Sequence, residues 1–347
     1  MTKKWLRWTP AVAVPVVIAG FVIAVPMSAN ASADLPEKSA SELLQFVQAS
    51  DVTALSGTLS QTSDLGLPDL SSLESDGGSD ALELLTGDHE ARVYLDEGVG
   101  ARVQVLDSMA ERDVISNGTG VWLYDSEQQT AVHSTLAQYE SGEPAIPETV
   151  PTPAELADRF LAAIDPTTTV AVGSNTSVAG RDAYELVLSP KSDTTLVGSV
   201  KIAVDGETGV PLSVAVTADG GTAPAFSVGF TSVSFETPDA SLFQFTPPAG
   251  TEVTEQAAPE QHADGGDPVG EKPTVTGAGW DAIVELPAAA ADDEAGRGDN
   301  PLLDQVMTAT ASGHVLQTAL VSVLVTDDGR VFAGAVPATA LEAAAQR

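Results

Sequence analysis

VKIAVDGETGVPLSVAVTADGG (200–221), followed closely by FSVGFTSVSFETPDASLFQFTPPAGTEV (226–253), is the stretch from which the architecture can be read. Val200, Ile202 and Val204 alternate with other residues, as do Leu212, Val214 and Val216, and then Phe226, Val228 and Phe230. A period of two places each set on one face of a strand. Asp205-Gly206 and Asp219-Gly220-Gly221 separate the runs, and such residues tolerate the backbone angles of tight hairpin turns. Three strands joined by short turns make an antiparallel meander with one apolar face.

Upstream, the same alternation continues. Tyr184, Leu186 and Leu188 follow the turn signal Gly180-Arg181-Asp182, and VWLYDS (121–126) follows Asn117-Gly118. Val93 with Leu95, and Val103 with Val105, share a face, while Arg92, Asp96, Arg102 and Gln104 take the other; Leu55 and Leu59 open the series. Two segments break the period. SASELLQFVQAS (39–50) begins with Ser39 and Glu42 at capping-box spacing, and TPAELADRFLAAIDP (152–166) has Thr152 and Glu155 in the same relation, Pro153 in the first turn and Asp165-Pro166 as the stop. Many strands with two amphipathic helices to cover them predict an α+β fold, an incomplete antiparallel β-barrel in the form of a strongly curved sheet, with a helical lid.

Residues 61–88, rich in Ser, Gly and Asp, read as a loop with a short helix near 81–85. Residues 254–278 are polar, with Pro and Gly throughout, and read as a linker between a main domain, 34–253, and a small C-terminal α+β module, 279–347. In that module the expected elements are a strand at 280–286, a helix opening at Asn300-Pro301, strands in VLQTALVSVLVT (315–326) and RVFAGAV (330–336), and an Ala-rich closing helix. Trp280, Val323 and Phe332 are its apolar anchors, for its own core or for a partner. A linker this long leaves the module free not to dock.

At the N-terminus, Lys3, Lys4 and Arg7 precede an uncharged run, 10–33, that ends in Ala29, Ala31 and Ala33. A basic head, an apolar middle and small residues at alternate positions are a secretory signal, cut near Ala31 or Ala33. The alternative is an uncleaved anchor through 11–27, which Pro15 and Pro26 weaken. Either reading places 34–347 outside the cytoplasm.

Fifteen basic against 49 acidic residues give a net charge of −34, which excludes a phosphate-backbone partner such as nucleic acid. With no cysteine and four separated histidines, thiolate chemistry and zinc sites have no ligands to draw on. The nucleophile-elbow, Walker and dinucleotide-loop patterns are absent, so the expectation is a non-enzyme without metal or cofactor. Asp327-Asp328-Gly329 and the triplets at Asn117 and Asn175 read first as turns.

Three stretches resemble one family. SNGTGVWLYDSEQQTAV (116–132) is similar to the Trp-x-Tyr-Asp hairpin of the LolA lipoprotein carriers, DAYELVLSPKSD (182–193) to their following strand, and the closing strands with Phe245-Thr246-Pro247-Pro248-Ala249-Gly250 to that family's terminal motif. The resemblance covers roughly 37–253. It implies an apolar cavity for the acyl chains of lipids or lipoproteins, under a helical lid, in an extracytoplasmic monomer. Val93, Leu95, Val103, Val105, Trp122, Tyr184, Leu186, Leu188, Ile202, Val214 and Val228 are then the cavity wall, and Phe160, Leu161 and Ile164 the lid. Arg92 or Arg102 would stand where the carriers keep a lid-locking arginine. GWDAIVELPA (279–288) and LVTDDGRVFAGAV (324–336) resemble the second domain of the RseB/MucB group, which implies an alternative partner, a membrane-bound anti-sigma factor of the envelope.

Overall fold

Ser39 and Thr152 start helices as their spacing predicts. Ser39 Oγ accepts from Glu42 N at 3.3 Å while the Glu42 carboxylate accepts from Ser39 N at 2.8 Å, and Thr152 and Glu155 repeat the exchange at 3.2 and 2.9 Å. The resulting helices are α1 (Ala40–Gln48) and α2 (Pro153–Ala162). The computed structural model describes residues 35–67, 88–106, 110–135, 151–162, 164, 166–255, 273–286 and 307–347. The signal segment, the expected helix near 81–85 and most of the linker lie outside them.

The strands of the main sheet are, in chain order, β1 (Ala54–Ser63), β2 (His89–Asp96), β3 (Gly100–Leu106), β4 (Glu111–Asn117), β5 (Gly120–Asp125), β6 (Thr130–Thr135), β7 (Thr168–Val172), β8 (Thr176–Val178), β9 (Arg181–Pro190), β10 (Val197–Asp205), β11 (Pro211–Ala218), β12 (Pro224–Ser234) and β13 (Glu252–Glu255). Their spatial order is β13-β6-β5-β4-β3-β2-β1-β12-β11-β10-β9-β7, with β8 also on β9. The sheet is not closed into a barrel. All pairs are antiparallel except β13, which adds to β6 in parallel. β1 extends to Ser63, three residues into the segment read as a loop, and the β8–β9 turn uses Ala179 (φ 51°) and Gly180 (φ 76°), one residue before the turn read from the sequence.

The register assigns faces. Leu59, Ala91 and Val105 stand opposite one another, as do Val93 and Val103, and Leu186, Ile202, Val214 and Val228 form one row across β9–β12. These rows share the inner face of the sheet. α1 lies over β7 and β9, and α2 over β11 and β12, both on that face, with Leu43, Leu156 and Ala157 buried in the same core. Phe46 of α1 meets Tyr184 edge to face at 6.4 Å. A bulge between Thr58 and Leu59 brings Phe230 over Gly57, where a Cβ would stand 2.7 Å from the ring; only glycine fits beneath it.

A second sheet holds β14 (Thr274–Thr276), β15 (Ile283–Leu286), β16 (Thr308–Thr310), β17 (Gly313–Gln317), β18 (Ser322–Thr326) and β19 (Val331–Gly334), ordered β14-β15-β19-β18-β17-β16. Helix α3 (Ala338–Ala345) covers one face, burying Val315, Leu324, Phe332 and Leu341. Three readings change here. Residues 308–310, expected in a helix, form edge strand β16; 315–326 is two strands, turned at Thr318, whose Oγ1 accepts from Val321 N at 2.9 Å; and Trp280 sits in a 3-10 turn rather than in the strand. Thr254 and Glu255, and 274–276, read as linker, are paired in β13 and β14.

The two sheets meet. Leu320 is buried in the main core, Ala319 N donates to Leu65 O at 3.0 Å, and Leu196 N to Ala335 O at 2.8 Å. The Trp280 ring stacks on Phe160 of α2, with centroids 6.1 Å apart, and its Nε1 donates to Thr168 Oγ1 at 2.8 Å. Trp280→Ala is therefore expected to cost about 2–3 kcal/mol and to speed amide exchange in α2, read by thermal melting and hydrogen exchange. A melt and an exchange pattern equal to the parent's would show that this contact does not form in solution.

Candidate functional site

The inner face joins residues that are far apart in sequence. Tyr184, Leu186, Leu188, Ile202, Val214 and Val228 are buried under the helices, Val93 and Val105 extend the same core, and Val103 packs at its margin. Leu95 shares the face through its pairing with Ala101 and Leu55 but is only half-buried. Beyond it, Val114, Leu123 and Val132 carry the apolar rows of Val103 across β4, β5 and β6, again half-buried. Phe160, Leu161 and Ile164 pack against this core from α2. So the face is closed beneath the helices and more open toward β4–β6.

Trp122 stands on the other side. Its cross-strand partners are Ile115 and His133, which place it on the outer face with Tyr94 and Arg102. There its ring stacks on the His133 imidazole at 4.2 Å and meets Phe245 at 5.4 Å, while His133 Nδ1 lies 2.9 Å from Glu255 Oε2. Phe243 fills the space above Gly100, where a Cβ would lie 3.0 Å from the ring. This small cluster pins the chain after β12 to the back of the sheet, so Trp122 cannot belong to the inner wall. The two arginines considered for a lid lock face the same way. Arg92 pairs with Gln104 and is exposed, and Arg102 is bound to Asp113 at 2.6 Å.

Several polar groups that could carry chemistry are occupied by the fold. The buried Asp205 carboxylate accepts from Arg181 Nε and, at 3.1 Å, from Arg181 Nη2; Thr208 N and Oγ1 donate to it at 2.8 Å each. Burial opposes its charge, but the bonds from Arg181 and Thr208 outweigh burial and hold the carboxyl below the usual aspartate range. Asp328, in the β18–β19 turn, is held low by bonds from Thr326 and Arg330. The nearby pocket of about 240 Å³ between Ser312, Asp328 and Arg330 is a recess around these ion pairs. Asn117 uses both ends of its amide, accepting from Thr119 and Gly120 and donating to Phe243 O. Among the described residues no three His, Asp or Glu side chains are grouped to hold a metal, and no helix is long and apolar enough to cross a membrane.

Sequence alternation missed one feature. Gln61, Ser63 and His89 are buried on the inner face, and a run of Ser and Thr around them in β1 gave no sign of which would turn inward.

No protein-family model matches the chain, and no curated protein does. Among solved structures, Pseudomonas aeruginosa MucB in complex with MucA is similar over 88% of this chain and 96% of that one, with 16% identity and a TM-score of 0.45. An uncharacterized conserved protein from Thermus thermophilus is similar over 62% and 99%, with 13% identity and a TM-score of 0.36. For a LolA superfamily protein from Nitrosomonas europaea the values are 60% and 99%, 9% and 0.26. In the course of its chain the protein resembles MucB and LolA-superfamily structures.

Proposed function

We propose that the protein is a non-enzymatic extracytoplasmic carrier or sensor that takes the acyl chains of lipids or lipoproteins onto the inner face of its main sheet, with α2 as the movable cover. The supporting observation is the apolar rows of that face, buried under α2 and half-buried at Leu95, Val114, Leu123 and Val132. Each buried methylene of a fatty chain contributes about 0.8 kcal/mol, so such a face binds without charged or catalytic groups. A net charge of −34 keeps the carrier off anionic membrane surfaces while it holds an uncharged chain.

A second reading, a regulator that binds a membrane-bound anti-sigma factor, draws on the second sheet. The row Val275–Val284–Ala333–Val323–Leu316 crosses it on the face opposite α3, and none of these residues belongs to either core. Native mass spectrometry of protein purified from its own envelope separates the two. Co-eluting acyl species, with slower hydrogen exchange over 153–162 when an acylated ligand is added, are the expected result. Bound ligand with unchanged exchange would remove α2 as the cover, and a co-eluting polypeptide without acyl species would favour the second reading.

A further inference from the structure

α2 is held differently at its two ends. Its first half carries the capping box of Thr152 and Glu155 and buries Pro153, Leu156 and Ala157 in the main core. Its last turn carries Phe160 and Leu161, which are only half-buried, and there the ring of Trp280 lies over Phe160, 20° from parallel. Trp280 belongs to the second sheet. It sits in the tight link between β14 and β15, where Gly277 (φ 87°) and Gly279 (φ 56°) take backbone angles that favour glycine and Ala282 N closes the turn on Gly279 O. Trp280 and the residue after it are seated on the main sheet without help from α2. Trp280 Nε1 donates to Thr168 Oγ1 at the start of β7, and Asp281 accepts from the hydroxyls of Ser192 and Thr194 at 2.8 Å each. The ring is therefore a fixed post, and α2 closes onto it.

Resting on the acyl-binding reading above, we propose that Trp280 is the latch of α2 and that the second sheet, through it, opposes acyl binding. Leu156 and Ala157 lie buried in one core with the strand rows they cover, so an acyl chain gains room there only when α2 lifts. Lifting α2 parts Phe160 from Trp280. The stack is thus made in the closed state and lost in the loaded one, and a contact present in only one of two states biases the equilibrium between them. Arg92 and Arg102 face the outer side of the sheet, so neither reaches a helix on the inner face to do the same work. The bias is reciprocal. A seated Trp280 weakens the hold on the acyl chain, and a bound chain loosens the seat of Trp280 by the same factor, so loading of the main domain is felt at β14 and β15.

The test is a fluorescence titration of the full chain with dansyl-labelled undecanoic acid. Trp280→Ala is expected to bind this probe about tenfold more tightly than the parent, the most that one stacked aromatic pair contributes, although the same change lowers the melting temperature. A gain in affinity from a destabilising substitution does not follow from a purely structural role. Trp280→Phe, which keeps a ring on Phe160, is expected to stay within about threefold of the parent. Should Trp280→Ala fail to fold, Thr168→Val decides: it removes only the acceptor that seats the indole, with an expected tightening of about threefold. In the parent, bound probe is expected to speed amide exchange at Asp281 and Ala282. Parent-like or weaker binding in both Trp280→Ala and Thr168→Val, or exchange at these two amides unchanged by bound probe, would overturn the latch and leave the acyl-carrier reading standing. A parent that binds no probe removes that reading, and the latch with it.

Discussion

Ile202→Asp is expected to abolish folding. Ile202 is buried in the centre of the core, between Leu186 and Val214 on the neighbouring strands. Loss of the side chain alone costs about 2–5 kcal/mol, and a carboxyl group forced into that place adds several more, against a total stability of about 5–15 kcal/mol. Leu123→Asp, on the same face but half-buried at the β5 end, is expected to cost about 1–2 kcal/mol and still give a cooperative melt. The measurement is thermal unfolding of both variants. A cooperative Ile202→Asp melt within a few degrees of the parent, with acyl binding lost, would mean that this part of the face is open in solution and Ile202 lines a cavity.

The second large effect lies at Asp205. Removing Arg181 leaves a buried carboxylate with its main charged partner gone, and the expected cost is about 3–5 kcal/mol for Arg181→Ala. Because Asp205 is held below the ordinary aspartate range in the fold, its contribution is complete above a pH of about 4 and is lost as the pH falls through the folded value. Asp205→Asn is expected to flatten that acid limb. A parent and an Asp205→Asn chain that lose stability in parallel below pH 4 would assign acid unfolding to other carboxylates.

Alternation found the strands whose inward residues are large and apolar, since burial and sequence period then agree. It was blind to β7, β13 and β16, where Thr168, Glu252 and Thr308 begin short edge strands defined by a neighbour's hydrogen bonds rather than by any face of their own. In β5 both phases are apolar: Val121 and Leu123 against Trp122 and Tyr124. Period alone cannot say which phase faces the helices, and the larger ring proved to face away, held by His133 and Phe245. The junction of the sheets was hidden for a similar reason. Leu320 reads as the middle of one long strand, whereas Thr318 caps a turn that drives it into the main core. Gln61 and Ser63 could not be read at all, because in a strand of Ser, Thr and Gln the inward phase is fixed by Leu59 and by the partner strands.

The parallel strand β13 has a mechanical consequence. It closes one margin of the main sheet, while Trp280 and Asp281, a few residues after β14, are fastened to Thr168 and Ser192 at the opposite margin. Laid flat, the eleven steps between those margins would measure about 50 Å at roughly 4.8 Å per strand. The roughly 18 residues between β13 and β14 can reach no further than about 60 Å, little more than that width, so chain length alone limits how far the two margins can part.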